Sequence, residues 1–70
     1  MPKVLIKGTI LKRKNGNDCG IILHLFLNEK PVESINLINN TNSIRITYVI
    51  NNEYFSKNIN DILKEFEIIY

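Results

Sequence analysis

Short runs of alternating apolar and polar residues, separated by four polar clusters, make up most of this 70-residue chain. The clusters are rich in Asn, and two of them also contain Gly or Pro. These residue types adopt the backbone conformations of tight turns at little cost. The clusters are Asn15–Asp18, Asn28–Pro31, Asn39–Asn42 and Asn51–Glu53. We therefore expect an antiparallel β-meander, in which each cluster reverses the chain.

The segments between the clusters predict about five strands, and one of the turns has a specific signature. Asn15-Gly16 favours a type I′ turn, because both residues accept a positive φ. Gly8, inside the first strand candidate, indicates a bulge or a sharp bend. The strand candidates are Lys3–Arg13, Gly20–Leu27, Val32–Ile38, Ile44–Ile50 and Tyr54–Lys57.

The second and fourth strand candidates predict which side chains face the core. Ile44–Ile50 alternates most clearly, with Ile44, Ile46, Tyr48 and Ile50 inward. Gly20–Leu27 is apolar on both faces, which is typical of a central strand covered on both sides. Strict alternation places Ile22, His24 and Phe26 together on one of these faces.

The pattern changes to a helical period near the end of the chain. Ile59, Ile62, Leu63 and Phe66 follow the i, i+3, i+4, i+7 spacing of an amphipathic helix, and Ile69 and Tyr70 extend the same stripe. Asn58 or Asn60 is the expected N-cap. The competing interpretation is a short strand over Phe66–Tyr70, because Ile-Ile-Tyr is β-prone. We favour the helix.

These elements predict one small α+β domain over residues 1–70. Its architecture is an antiparallel β-meander of about five strands with one C-terminal amphipathic helix packed on the sheet. The alternative is a small closed β-barrel with a sixth short strand. One helix covers one face only, so the other face of the second strand remains bare. We expect a homodimer through that face, with Ile22, His24 and Phe26 at the interface.

Charge is unevenly distributed and points to an anionic partner. The first 14 residues carry five basic side chains and no acid, whereas the rest of the chain carries four basic and seven acidic residues. We expect nucleic acid, DNA or RNA with single strands favoured, to bind a basic N-terminal hairpin. Tyr54 and Tyr70 are the aromatic candidates for base stacking. The expected binding residues are Lys7, Lys12, Arg13, Lys14 and Arg45.

The alternative function is a protein-interaction module or an inhibitor that blocks a host protein surface, as phages and other mobile elements often encode. An enzyme is a third and weaker hypothesis, because Cys19 and His24 are the only residues of their types and lie five positions apart, on opposite faces of a regular strand. No metal-ligand spacing and no Gly-rich phosphate loop occurs. We expect no cofactor and no metal.

The apolar runs also bear on location. None approaches the roughly 20 residues that span a bilayer, and Lys7 ends the first run well short of a signal-peptide core. A single cysteine mildly favours a reducing compartment. We therefore expect a cytoplasmic protein that does not associate with membranes.

Overall fold

A computed structural model describes residues 4–37 and 43–70 and confirms the α+β class. A six-stranded antiparallel sheet carries one short helix, and a separate two-stranded sheet lies beside it. The elements are β1 (Val4–Ile6), β2 (Ile10–Arg13), β3 (Cys19–Leu27), β4 (Lys30–Val32), β5 (Ser34–Asn36), β6 (Ile44–Ile50), β7 (Glu53–Asn58), α1 (Ile59–Glu65) and β8 (Phe66–Ile69).

The larger sheet is open. Its strands follow the order β7-β6-β3-β2-β8, and β4 pairs with the far end of β3. In the described part of the chain β7 does not pair with β8, so the alternative of a closed barrel is wrong, although the sixth strand that it required is present. Lys3, Ile38 and the predicted turn Asn39–Asn42 lie outside the described residues.

The first predicted strand is two strands, because the chain bends sharply at Gly8. Gly8 has a φ of +91°, a conformation that L side chains rarely adopt. The Thr9 hydroxyl fixes the bend by donating to the Ile6 carbonyl at 2.7 Å and accepting from the Ile6 N–H at 3.2 Å. As a result β1 pairs with β5, whereas β2 pairs with β3 and β8.

A β-bulge in β3 corrects the predicted faces of that strand. Ile22 pairs with Tyr48 and His24 pairs with Thr47, so Leu23 is an extra residue in the ladder. Side chains that follow the bulge therefore exchange faces, and Ile22 and Leu25 both point into the core with 1% exposure each. The expectation that Ile22 shares an exposed face with His24 and Phe26 is wrong.

The positive-φ turns occur at two of the Asn-rich clusters, but not at Asn15-Gly16. Asn28-Glu29 and Asn51-Asn52 adopt positive φ at both positions, as a type I′ turn requires. The β2–β3 connection is longer, because the Arg13 N–H donates to the Asp18 carbonyl at 2.9 Å and four residues lie between them. A loop of this length does not need the type I′ conformation that we predicted.

The helix begins where predicted and ends early. Asn58 is the N-cap, and its side-chain oxygen accepts from the Asn60 N–H at 2.8 Å. α1 ends at Glu65, and the chain continues as β8, so the competing strand interpretation is confirmed and the favoured longer helix is wrong. β8 pairs with the open side of β2, which gives its backbone groups the partners that a helix would have supplied.

The core lies between the inner face of the larger sheet, α1 and the two-stranded sheet. The inward alternation predicted for β6 is confirmed, since every second residue from Ile44 to Ile50 is buried. The buried apolar side chains are Leu5, Leu11, Ile22, Leu25, Ile35, Ile44, Ile46, Tyr48, Ile50, Ile59, Ile62 and Phe66. Within the described ranges, no helix has the length and apolar character needed to cross a membrane.

Candidate binding face

The outer face of the larger sheet carries a continuous row of apolar side chains. Directly paired residues on neighbouring strands point to the same face, so the pairing of β8, β2, β3, β6 and β7 aligns five of them. We call this set the apolar row: Ile69, Ile10, Ile21, Val49 and Tyr54. Tyr54 is 73% exposed, Ile69 46% and Ile21 44%. The row crosses the sheet from one edge to the other.

A polar strip borders the apolar row on the side of the β2–β3 hairpin. Lys12 pairs with Cys19 on β3 and with Glu67 on β8, and all three side chains are exposed. Lys12 therefore lies on the outer face, directly opposite an acid. The thiol of Cys19 is free.

An open groove lies beyond the apolar row, at the other end of β3. Its centre is Arg45, which pairs with Phe26 on β3 and with Asn58 on β7. The groove has a volume of about 760 Å³ and is named here the Arg45 groove; it is lined by Phe26, Asn28, Glu29, Ser43, Ile44, Arg45, Thr47, Ser56 and Asn58. The Arg45 Nη1 donates to the Ser56 carbonyl at 3.3 Å, an exposed contact that leaves other guanidinium donors available.

His24 extends the Arg45 groove toward the apolar row. Its ring lies 6.4 Å from the Phe26 ring, at an interplanar angle of 47°. His24 is exposed and Phe26 is half-buried. They flank the buried Leu25 on β3, so both rings lie on the outer face. This end of the outer face thus combines the adjacent rings of His24 and Phe26 with the guanidinium of Arg45.

Arg13 points away from this face. Its Nε lies 3.3 Å from Asp18 Oδ2, its Nη1 lies 3.8 Å from Glu65 Oε2, and its guanidinium carbon lies 4.8 Å from the centre of the Phe66 ring. Phe66 is a core residue on the inner face and pairs with Arg13 across β2 and β8. Arg13 therefore covers the core and is flanked by two acids.

The remaining basic residues occupy separate places. The Lys14 N–H donates to the Glu65 carbonyl at 2.9 Å, and its side chain is exposed at the end of β2. Lys7 is exposed in the bend that precedes β2, where the next residue, Gly8, donates to the Ile22 carbonyl at 2.7 Å. Lys12 and Arg45 share the outer face and are separated by the seven residue-to-residue steps of β3 from Cys19 to Phe26, or roughly 23 Å at the rise of a strand.

The fold also places acids near the basic hairpin. Asp18 follows the β2–β3 loop, Glu65 ends α1, and Glu67 lies on β8 beside Lys12. Glu65 also lies 3.8 Å from the Lys57 ammonium. The local charge around the hairpin is accordingly less positive than the first 14 residues suggest.

Sequence reasoning found Tyr54 and Arg45 but missed the apolar row. The predicted helical stripe includes Ile69, and the alternation of β6 leaves Val49 as an apolar residue in an outward position with no assigned role. Val49 is the signal that the sequence offers, but a single outward apolar residue is common on protein surfaces and by itself does not indicate a contact surface. Tyr48, by contrast, belongs to the core: burial raises the pKa of its hydroxyl, and the neighbouring Lys57 opposes this in part.

Other chemistry is scarce in the part of the chain that the structure describes. Across residues 4–37 and 43–70, no group of three His, Cys, Asp or Glu side chains comes close enough together to hold a metal ion. Comparisons with models of known protein families, with curated proteins and with solved structures find no match for this chain.

Proposed function

We propose that this protein binds single-stranded nucleic acid along the outer face of its larger sheet. The observation that carries the proposal is that Lys12 on β2 and Arg45 on β6 pair with opposite ends of β3 and share one exposed surface, with rings and apolar side chains between them. The proposal keeps Lys12 and Arg45 from the sequence-based expectation and leaves out Arg13, which covers the Phe66 ring on the other face.

Single strands suit such a surface better than duplexes. Their phosphates reach separated cations, and their unpaired bases are free to lie on rings and apolar side chains. Phe26, His24 and Tyr54 supply the rings, and the hydroxyl and amide groups of the Arg45 groove supply hydrogen bonds to sugar or base. The proposal implies that the protein works inside the cell, where nucleic acid is its partner.

Arg45→Ala is expected to weaken binding of a labelled single strand and to reduce its salt dependence. Loss of one phosphate contact lowers the slope of log affinity against log salt by about 0.7 for single strands. Fluorescence anisotropy between about 50 and 200 mM salt measures this slope. Lys12→Ala should act in the same way, and the two effects should add because the residues lie far apart.

Lys64→Ala is the matched control, since it removes one exposed positive charge from α1. It should leave the slope unchanged. Equal slopes for the Arg45 and Lys64 variants would mean that binding follows net charge and not the outer face. Absence of saturable binding to single strands and duplexes at the lowest salt would refute the proposal.

A protein partner is the second candidate, and the apolar row favours it. Four of its five members are aliphatic and present no ring on which a base can stack. If this candidate holds, one stoichiometric protein survives nuclease treatment of a lysate pull-down and is lost with Ile21→Ser. Ile21 is 44% exposed, so this variant should remain folded.

A further inference from the structure

β7 is an edge strand with a pattern that matches its own antiparallel copy. It ends the strand order of the larger sheet, and within the described residues it pairs only with β6. We propose that β7 pairs with β7 of a second copy of this chain, about a two-fold axis perpendicular to the sheet. The two sheets then form one continuous sheet, in a homodimer that goes beyond the proposed function and does not depend on it.

The backbone of β7 directs a regular set of N–H and C=O groups toward such a partner. Asn51-Asn52 is a two-residue turn, so the pair that flanks it, Ile50 and Glu53, is hydrogen-bonded. Hydrogen-bonded and non-hydrogen-bonded pairs alternate along an antiparallel ladder. The N–H and C=O groups of Tyr54 and Ser56 therefore point away from β6, toward the open edge. The contact of the Ser56 carbonyl with Arg45 is consistent with this direction, because that oxygen is outside the ladder.

Two-fold symmetry and the direction of these backbone groups limit the register in which the two β7 strands pair. A two-fold axis perpendicular to the sheet keeps the inner faces of both copies on one side, so inward residues pair only with inward residues. Pairing Tyr54 with Ser56 of the second copy, and the reverse, uses the edge-directed backbone groups of both residues, and the Ser56 carbonyl has a second lone pair beside the one that accepts from Arg45. The axis then passes beside Phe55, and each Glu53 lies opposite Lys57 of the second copy.

Charge complementarity selects this register over its neighbours. The two neighbouring symmetric registers pair Ser56 with Ser56, or Tyr54 with Tyr54, of the second copy. The first places Lys57 opposite Phe55, and the second places Glu53 opposite Phe55. Only the central register forms two symmetric Glu53–Lys57 pairs, with the Phe55 rings between them. Lys57 Nζ lies 3.8 Å from Glu65 Oε1 at 40% side-chain exposure, and an ammonium has further donors for a second carboxylate.

The opposite edge of the sheet lacks this complementarity. β8 has four residues, and its only charged member is Glu67. Self-pairing of β8 therefore sets Glu67 opposite another Glu67 or opposite Ile69, and the first arrangement is repulsive. The six-residue β7 is the edge at which a second copy of this chain fits.

Sedimentation velocity over a wide range of protein concentration, without nucleic acid, tests the homodimer. Wild type should show a monomer–dimer equilibrium.

Glu53→Lys places two lysines opposite each other at both symmetric positions, and we expect the dimer dissociation constant to rise about tenfold. Lys57→Glu should act similarly, and the double swap E53K/K57E should restore affinity to within a few fold, because it exchanges the partners of each pair. Glu33→Lys, an exposed site between β4 and β5, makes the same charge change as Glu53→Lys and should have no effect.

Hydrogen exchange provides a second measurement that needs no variant. The amides of Tyr54 and Ser56 should gain protection as protein concentration rises, whereas the amide of Phe55, which already bonds to β6, should not change. A monomer at every concentration would overturn the proposal, even if the edge accepts a strand of another protein. A double swap as weak as the single variants would overturn the register. Neither result affects the nucleic-acid measurements above.

Discussion

Phe66→Ala is expected to reduce the free energy of unfolding by about 3–5 kcal/mol, which approaches the whole stability that a single core supplies in a chain of this size. Phe66 is 1% exposed at the junction of α1 and β8. Its ring makes an edge-to-face contact with Tyr48 at 5.6 Å, and the guanidinium of Arg13 covers it at 4.8 Å. Truncation leaves a cavity in the core beneath β8 and β2. We therefore expect the hydrogen bonds between these two strands to open more readily.

Ile69→Ala is the matched control on the same strand. Ile69 points to the outer face and is 46% exposed, so its truncation creates no internal cavity. We expect a change of no more than about 0.5 kcal/mol. Urea denaturation followed by far-UV circular dichroism compares the two variants with wild type. Similar losses for both would show that β8 does not separate the core from the outer face as described.

Gly20→Ala should cost about 1–3 kcal/mol, although it adds only one methyl group. Gly20 is buried on β3, and a Cβ there would lie 2.8 Å from Ile50 Cγ1 and 3.2 Å from the Val49 carbonyl oxygen. The side chain of Ile50 can rotate, but the Val49 oxygen is backbone, so relief requires β6 to shift. A shift of β6 moves the Val49 member of the apolar row as well.

Gly16→Ala tests whether this cost is specific to the site. The added Cβ would meet Arg13 Cδ at 3.2 Å, and that atom belongs to a flexible side chain. Thermal unfolding should therefore show a much smaller loss for Gly16→Ala than for Gly20→Ala. Combining Gly20→Ala with Ile50→Ala should give less than the sum of the two single losses, since the second change removes Ile50 Cγ1, the nearer of the two crowded atoms. Simple additivity would argue against the predicted crowding.

Local sequence patterns determined several elements of this fold closely. β6 matches its predicted bounds of Ile44–Ile50, because alternation over seven residues, broken only by Val49, is typical of a strand with one buried face. The start of α1 follows from Asn58, whose side chain caps the first turn. Asn51-Asn52 reverses the chain for an equally local reason, since Asn tolerates positive φ.

Tertiary pairing decided the other elements. Residues 66–69 carry a helical stripe and a β-prone composition at once, and β2 settles the choice by offering an unpaired edge. The faces of β3 depend on one extra residue at Leu23, and both of its faces are apolar, so composition contains no signal for the bulge. The segments before and after Gly8 join different sheets because their partners lie far along the chain. β1 pairs with Ser34–Asn36, and Gly8 and Thr9 bond to the backbone of Ile22.

The candidate binding face follows the same division. Residue patterns alone are enough to predict an uneven basic charge, an outward Arg45 and an exposed Tyr54 in an antiparallel α+β domain. Strand pairing in the folded protein is needed to show that Arg13 covers the core between two acids, and that Ile69 joins Ile21 in one row. The physical reason is register: side-chain direction repeats every two residues, so a single bulge or a strand pairing far along the chain decides which side chains share a face.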